Sequence, residues 1–421
     1  MPDATRPQSP EEASNSMQSR PSGAAGEMGA SAAAPDAAAV DGGGATDDTA
    51  AAPDAIPLED AFTFNEPNEA GMSTALFYAF NTVITLQAFG NAAHVRAAME
   101  EARDRCRFFE RLFSRTLPHS DIARLNAAAG AAVEIHPETL RLLQAAQRYC
   151  ALSQGAFDIT IGAAARLWNF HTGAMPSEQE LAQAVRHVNW EALHVWEEAP
   201  TAGADAGSAS AGAGVGGALA GAKTPQSQGA VASAGRPETH PTAPDAPEAP
   251  TRCFARLDDP HAGVDAGGIA KGYIADDLAN LFAQRGLEAF VVNLGGNVVA
   301  HGTKPDGTAW KIGLQDPKRK DGILGAIQLT DASAVTSGVY ERGFERAGRL
   351  YHHILNPRTG MPAETDAAGV TVVADASLDA EGFSTTLLAL GIARGAEFAK
   401  ARPEIQAAYF VDRQDRVVTV L

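Results

Sequence analysis

The sequence predicts an α+β fold, a mixed sheet core with surrounding helices. Strand-type and helix-type patterns follow one another without the regular strand–helix–strand cadence that a doubly wound sheet requires. These patterns fall into two blocks, about 65–198 and 252–421, with no Phe, Trp or Tyr between Trp196 and Phe254. Both blocks carry motif-like stretches. One domain, 65–421, is therefore expected, interrupted by a Gly/Ser/Ala- and Pro-rich low-complexity insertion at 199–251. Such an insertion costs little, because loop-closure entropy grows only logarithmically with length. Residues 1–64 are acidic and rich in Ala, Gly and Pro, with no aromatic before Phe62. They are expected to form a disordered tail, having too little apolar surface to offset the entropy of ordering.

Taken in order, Thr82–Phe89 (TVITLQAF) alternates with β-branched residues and reads as a strand. Asn91–Phe113 reads as a helix from the spacing of Val95, Met99, Cys106 and Phe109. Asp121–Ala129 and Pro137–Ser153 follow as helices, the second with Leu140, Leu143, Ala146 and Tyr149 on one face. Ser177–Val188 has an N-cap Ser and two acids in its first turn, both helix-start signals. Ile269–Gln284, Leu378–Leu390 and Arg394–Lys400 are the remaining predicted helices. Strands are predicted at Ala289–Ala300, Ala309–Gln315, Gly325–Thr330, Val370–Val373 and Gln406–Val411.

The 421 residues hold 33 Lys plus Arg against 51 Asp plus Glu, a formal charge of −18. That balance argues against a nucleic-acid partner, which needs a basic face, and against a polybasic membrane-surface protein. Cys106, Cys150 and Cys253 are widely spaced and share no CxxC pattern, so neither a zinc site nor a disulfide framework is expected. No apolar run is long enough for a transmembrane helix. The start, Met1-Pro2-Asp3, lacks a basic region and an apolar core. A cytoplasmic location is the expectation, with an exported or membrane-associated form left open.

Four stretches could carry chemistry. Val264-Asp265-Ala266-Gly267-Gly268-Ile269-Ala270-Lys271-Gly272 sets an acid, a Gly pair and a Lys at a loop-to-helix junction. Helix-start N–H groups and a Lys suit an anion such as phosphate, although the same pattern fits a plain turn with an exposed Lys. Walker spacing is absent, so this is not a P-loop. Tyr351–Pro362 (YHHILNPRTGMP) is a turn-rich loop carrying His353 and Arg358, a proton carrier and a phosphate fork, or else a structural turn. Glu381 and Thr385 are four apart on one helical face and offer oxygen ligands to a hard cation, or an ordinary helix start. Gly155–Gly162 (GAFDITIG) could line a planar ligand or simply pack a core turn. Thr336-Ser337-Gly338 lacks the flanks of a nucleophile elbow, which argues against a serine hydrolase.

Together these stretches resemble the ApbE family, the FAD:protein FMN transferases. The order matches: an NTVITL strand, Ser120-Asp121-Ile122 with Leu125-Asn126, GAFDITIG with LWNF, DAGGIAKGYIADDLA, VNLGGN, VTSGVYER, HHILNPRTGMP and STTLLALG. The resemblance covers the chain from about Phe77 to its end. It implies an ApbE-like, T-fold-related core and magnesium-dependent transfer of FMN from FAD to a Thr hydroxyl of an acceptor protein, releasing AMP. Asp265 and Lys271 match FAD-contacting positions of the family, as do Gly155, Ala156, Phe157, Leu355 and, less closely, Thr116. Gly268 matches a position whose carbonyl ligates the metal, and Glu381, Ser384 and Thr385 fall in the family's second metal segment. Two departures stand out: Phe80-Asn81-Thr82 replaces the usual Met-Gly-Thr, with Phe80 able to pack on the flavin, and Glu381 replaces Asp. Catalytic roles fall to His353, Asp265 and Lys271. The implied partners are FAD and an acceptor bearing a Gly-Ala-Thr-type motif; Gly44-Ala45-Thr46 in the tail bears a faint likeness to it. An FAD-binding protein without transfer and a metal-dependent FAD pyrophosphatase remain the alternatives.

Overall fold

The computed structural model describes residues 61–198, 251–319 and 322–421. The tail up to residue 60, with Gly44-Ala45-Thr46, and nearly all of the predicted insertion lie outside the described residues.

Three antiparallel strands come first: β1 (Phe62–Asn65), β2 (Met72–Ala79) and β3 (Thr82–Phe89). The predicted tail, 1–64, therefore runs too far. Phe62 pairs with Phe77 and stacks near it, so three residues assigned to disorder are in the sheet. Phe80 and Asn81, both at positive φ, form the two-residue turn between β2 and β3, a twist that suits hairpin strands. Helix α1 (Ala92–Phe113) begins at Asn91, whose side chain accepts from His94 N, and buries Val95, Met99, Cys106 and Phe109.

α2 (Asp121–Ala127) is capped by Ser120 and ends two residues before the predicted boundary, because the chain turns to positive φ at Ala129 and Gly130. β4 (Val133–Ile135), α3 (Pro137–Leu152), the single turn α4 (Gly162–Ala165) and α5 (Glu178–Ala184) follow. α5 opens on a Ser177–Glu180 capping box and tightens into a 3-10 turn at Val185–His187, so the predicted helix to Val188 is shorter. β5 (Leu193–Glu198) and β6 (Arg252–Leu257) pair directly, Glu198 opposite Arg252, and β4 completes their small sheet.

α6 (Ala270–Gln284) leads into β7 (Phe290–Leu294) and β8 (Asn297–His301). The single strand predicted at Ala289–Ala300 is thus a hairpin, because Gly295 and Gly296 both take positive φ and reverse the chain. Then come the hairpin β9 (Trp310–Gln315) and β10 (Ile323–Leu329), strand β11 (Ala332–Gly338), the hairpin β12 (Gly343–Arg346) and β13 (Arg349–His352), and β14 (Ala367–Ala374). α7 (Ser377–Leu390), α8 (Ile392–Lys400), β15 (Ala407–Asp412) and β16 (Val417–Val420) close the described chain.

Among the described residues the main sheet has nine strands in the order β1-β2-β3-β7-β8-β11-β14-β15-β16, each pair of neighbours antiparallel. Helices α1, α6, α7 and α8 cover one face, and the main core joins both sequence blocks, for example Phe109 of α1 and Tyr149 of α3 with Phe282 and Phe383. The β9–β10 hairpin covers part of the other face through Trp310, Leu314, Ile327 and Leu329. β14 is buried along its whole length and shows no apolar–polar alternation; its one polar side chain, Thr371, pairs with Thr336 at 2.8 Å. No helix among the described residues is long and apolar enough to cross a membrane.

Candidate active site

The site is built where the start of α6 meets the second turn of α7. Gly272 makes this meeting close: a Cβ there would stand 2.7 Å from Ser377 O and 2.9 Å from Leu378 Cα. The Glu381 side chain, only 2% exposed as a residue, lies between the helices. One oxygen accepts from Lys271 Nζ at 2.7 Å and the other from the Gly272 backbone N–H. Burial works against the Lys271 charge, but Glu381 outweighs it and holds the ammonium above its ordinary range. Ser384, three residues beyond Glu381 on α7, donates to Glu381 O or shares a proton with Ser337 Oγ, 2.8 Å away on β11.

The Asp265–Gly268 turn stands beside this pair. Asp265 accepts from Gly267 N at 2.9 Å, which holds the turn against the start of α6. The Cβ position of Gly268 would lie 3.2 Å from the Phe157 ring and 3.8 Å from Thr385 Oγ1, so these three sequence-selected residues meet. Gly155, at positive φ, has open space over its Cα. It borders a groove of about 480 Å³ lined also by Asp158, Trp190, Pro357 and Arg358. Ala156 sits in the same turn, its N–H on Ser153 O.

His353 follows β13 with its Nδ1 3.2 Å from Arg342 O. A carbonyl can only accept, so Nδ1 carries the proton and Nε2 is the basic nitrogen of the neutral ring. Burial, then Arg342 and more weakly Lys271, push its pKa down to about 3, which keeps the imidazole neutral near pH 7.

Three further sequence-selected residues have neighbours of their own. Leu355 packs with Trp168 and Leu181 in a satellite apolar group. Phe80 is in the β2–β3 turn, its N–H on Glu110. Thr116 shares a contact with Ser114 in an exposed loop. Its neighbour Arg115, which sequence reasoning passed over, stands 3.5 Å from Asp265. Asp276 and Arg342 lie inside the quoted strings without a role in the sequence reading, and Ser337 enters it only as a rejected nucleophile; each acts through a partner outside its own string, which no local spacing marks.

Asp379 faces elsewhere, accepting from Tyr149 OH at 2.6 Å. Among the described residues no group of three or more His, Cys, Asp or Glu forms a metal site. Any ion here would rest on one carboxylate with hydroxyl and carbonyl oxygens.

The ApbE family model matches residues 80–410, most of the chain and every residue just described. The chain belongs to the ApbE family. Among relatives, it is 31% identical over 340 residues to the FAD:protein FMN transferase of Treponema pallidum, covering 77% of this chain and 80% of that one. It is 37% identical over 170 residues to an FAD:protein FMN transferase of Klebsiella pneumoniae, covering 40% of this chain and 52% of that one. Of solved structures, an ApbE protein of Thermotoga maritima superposes with a TM-score of 0.63 at 23% identity, over 82% of this chain and 96% of that one. The flavinyl transferase ApbE of Pseudomonas stutzeri gives 0.60 at 24%, over 83% and 93%. These two likenesses establish the shared ApbE fold.

Proposed function

We propose that this ApbE-family chain is an FAD:protein FMN transferase that moves FMN from FAD onto a Thr hydroxyl of an acceptor protein. The observation that supports it is the meeting of Gly268, Thr385 and Phe157 beside the Lys271–Glu381 pair. The donors there suit magnesium, which prefers oxygen and keeps few protein ligands beside substrate phosphates. Glu381 uses two of about four acceptor sites on its carboxylate, leaving room for an ion, with Gly268 O, Thr385 and Ser384 as further oxygens. When bound, the ion would neutralise charge on the pyrophosphate and the departing AMP.

The protein's own part follows from its charges. The Lys271 ammonium meets the same phosphates, where charge grows in the transition state. Asp265 keeps the Gly267–Gly268 turn open to FAD, with Phe157 and Phe80 offering ring faces to the flavin and Gly155, Ala156, Thr116 and Leu355 completing the contacts. Nε2 of His353, or the Asp265 carboxylate, takes the proton from the acceptor hydroxyl. The Thr oxygen bonds to the FMN phosphorus, the bond to AMP breaks, and AMP leaves with its electron pair.

The test is a product assay with FAD, magnesium and an acceptor domain bearing Gly-Ala-Thr. Acceptor-dependent AMP together with flavin-labelled protein is expected. AMP with free FMN would mean hydrolysis, and intact bound FAD would mean a binding protein; either overturns the transferase reading.

A further inference from the structure

Helices α6 and α7 cap each other, α6 through Glu381 and α7 through Asp276. The first turn of a helix leaves backbone N–H groups without partners. Neither helix solves this with its own N-cap: Ile269 before α6 and Ala376 before α7 make no side-chain capping bond. Each is satisfied from the other helix. Glu381 of α7 takes the Gly272 N–H of α6. Asp276 of α6 takes Ser377 N at 2.7 Å and Leu378 N at 2.9 Å, the first two residues of α7. Ser377 is further tied to the sheet, its hydroxyl donating to Asn297 Oδ1 at 2.6 Å.

The interface has no slack. The Cβ position of Gly272 would sit 2.7 Å from Ser377 O and 3.0 Å from Glu381 Cβ. Glu381 lies four residues after Ser377, one turn along the same face. Holding the first turn of α7 therefore sets where the Glu381 carboxylate stands, and that carboxylate holds Lys271 Nζ at 2.7 Å.

We propose that Asp276 is a positioning residue for the transfer, acting through α7 and Glu381 to fix the Lys271 ammonium for the FAD phosphates. This rests on the flavin-transfer reading, and the experiment separates the two. Asp276→Asn and Asp276→Ser are made in parallel; both keep an oxygen acceptor for one N–H, so one folded variant suffices. FAD affinity is measured on folded monomer by flavin fluorescence, in the parent and in a Lys271→Met background. Loss of a charged cap bond predicts FAD Kd raised about 5- to 20-fold in the parent background. In the Lys271→Met background the same change should add less than about twofold, because the residue it acts through is gone. A purely structural role would lower melting temperature yet leave the FAD Kd of the folded protein unchanged. Variants that bind FAD like the parent, or whose penalty multiplies in full with Lys271→Met, would overturn the proposal alone. A parent chain that binds no FAD would overturn both.

Discussion

In the proposed transfer, His353 and Asp265 are the two candidate acceptors of the hydroxyl proton, and His353 makes the sharper prediction. Its Nδ1 is committed to Arg342 O, so Nε2 alone can accept a proton. Replacing His353 by Ala should lower transfer by roughly 10²- to 10⁴-fold, the usual worth of a general base. FAD affinity should stay within about twofold, measured by flavin fluorescence; a matching loss of FAD binding would instead make His353 a binding group. Its neighbour His352 makes a different prediction. It is buried at 3% exposure with no hydrogen-bond partner for Nδ1 among the described residues, and burial pushes its pKa down to about 4. Its unfolded value is near 6.5, so between those values the unfolded state binds more protons. Stability is therefore present above about pH 6.5 and lost as pH falls toward 4. His352→Gln should flatten that acid limb in urea melts at stepped pH; an unchanged slope would assign it to other groups. The local motifs could be picked out in sequence because Lys271 closes a short acid–glycine–lysine string, His353 sits in a turn-rich loop and Thr385 lies one helical turn from an acid. The Lys271–Glu381 pair was not, since 110 residues separate its members and no local spacing predicts a contact between them.

At the scale of elements, long helices and clean alternations could be read directly, and so could the Val-rich centre of the fully buried β14, while strands without apolar contrast could not. Thr82–Phe89 matches its predicted bounds because β-branched residues alternate there. β2, its partner, went unread: its inward residues are Ser73, Ala75, Phe77 and Ala79, and its outward ones Met72, Thr74, Leu76 and Tyr78. The buried face is less apolar than the other, so alternation gives no usable contrast. Glycines supplied the decisive corrections, splitting β7 from β8 and letting α6 and α7 touch. The second of these is testable. Gly272→Ala would drive a methyl into Ser377 O and Leu378 Cα, both backbone and unable to yield cheaply. It should cost about 1–3 kcal/mol in urea unfolding, the usual penalty of overpacking. FAD affinity should fall with it, because separating the helices pulls Glu381 from Gly272 N and Lys271. A variant as stable as the parent and equally tight for FAD would show that the close approach is incidental.

Across the whole molecule, one sheet joins strands from both sequence blocks: β3 pairs with β7, although residues 90–289 intervene. The site depends on this closure, because Phe157 comes from the first block and Gly268, Lys271, His353 and Glu381 from the second. β5 and β6 make the local bridge between the blocks. Their register runs from Leu193 opposite Leu257 to Glu198 opposite Arg252, and side chains stack across it, Trp196 on Phe254. The ends of that hairpin are thus already adjacent where residues 199–251 connect them. Replacing 199–251 by Asn-Gly, which favours a tight two-residue turn, should preserve the pairing. Shortening a connection also lowers the closure entropy lost on folding. The shortened chain should melt at or above the parent temperature and bind FAD within about twofold. A large loss of FAD affinity with folding intact would mean that 199–251 itself contributes to the site; a loss of folding would mean that the β5–β6 pairing needs the longer connection.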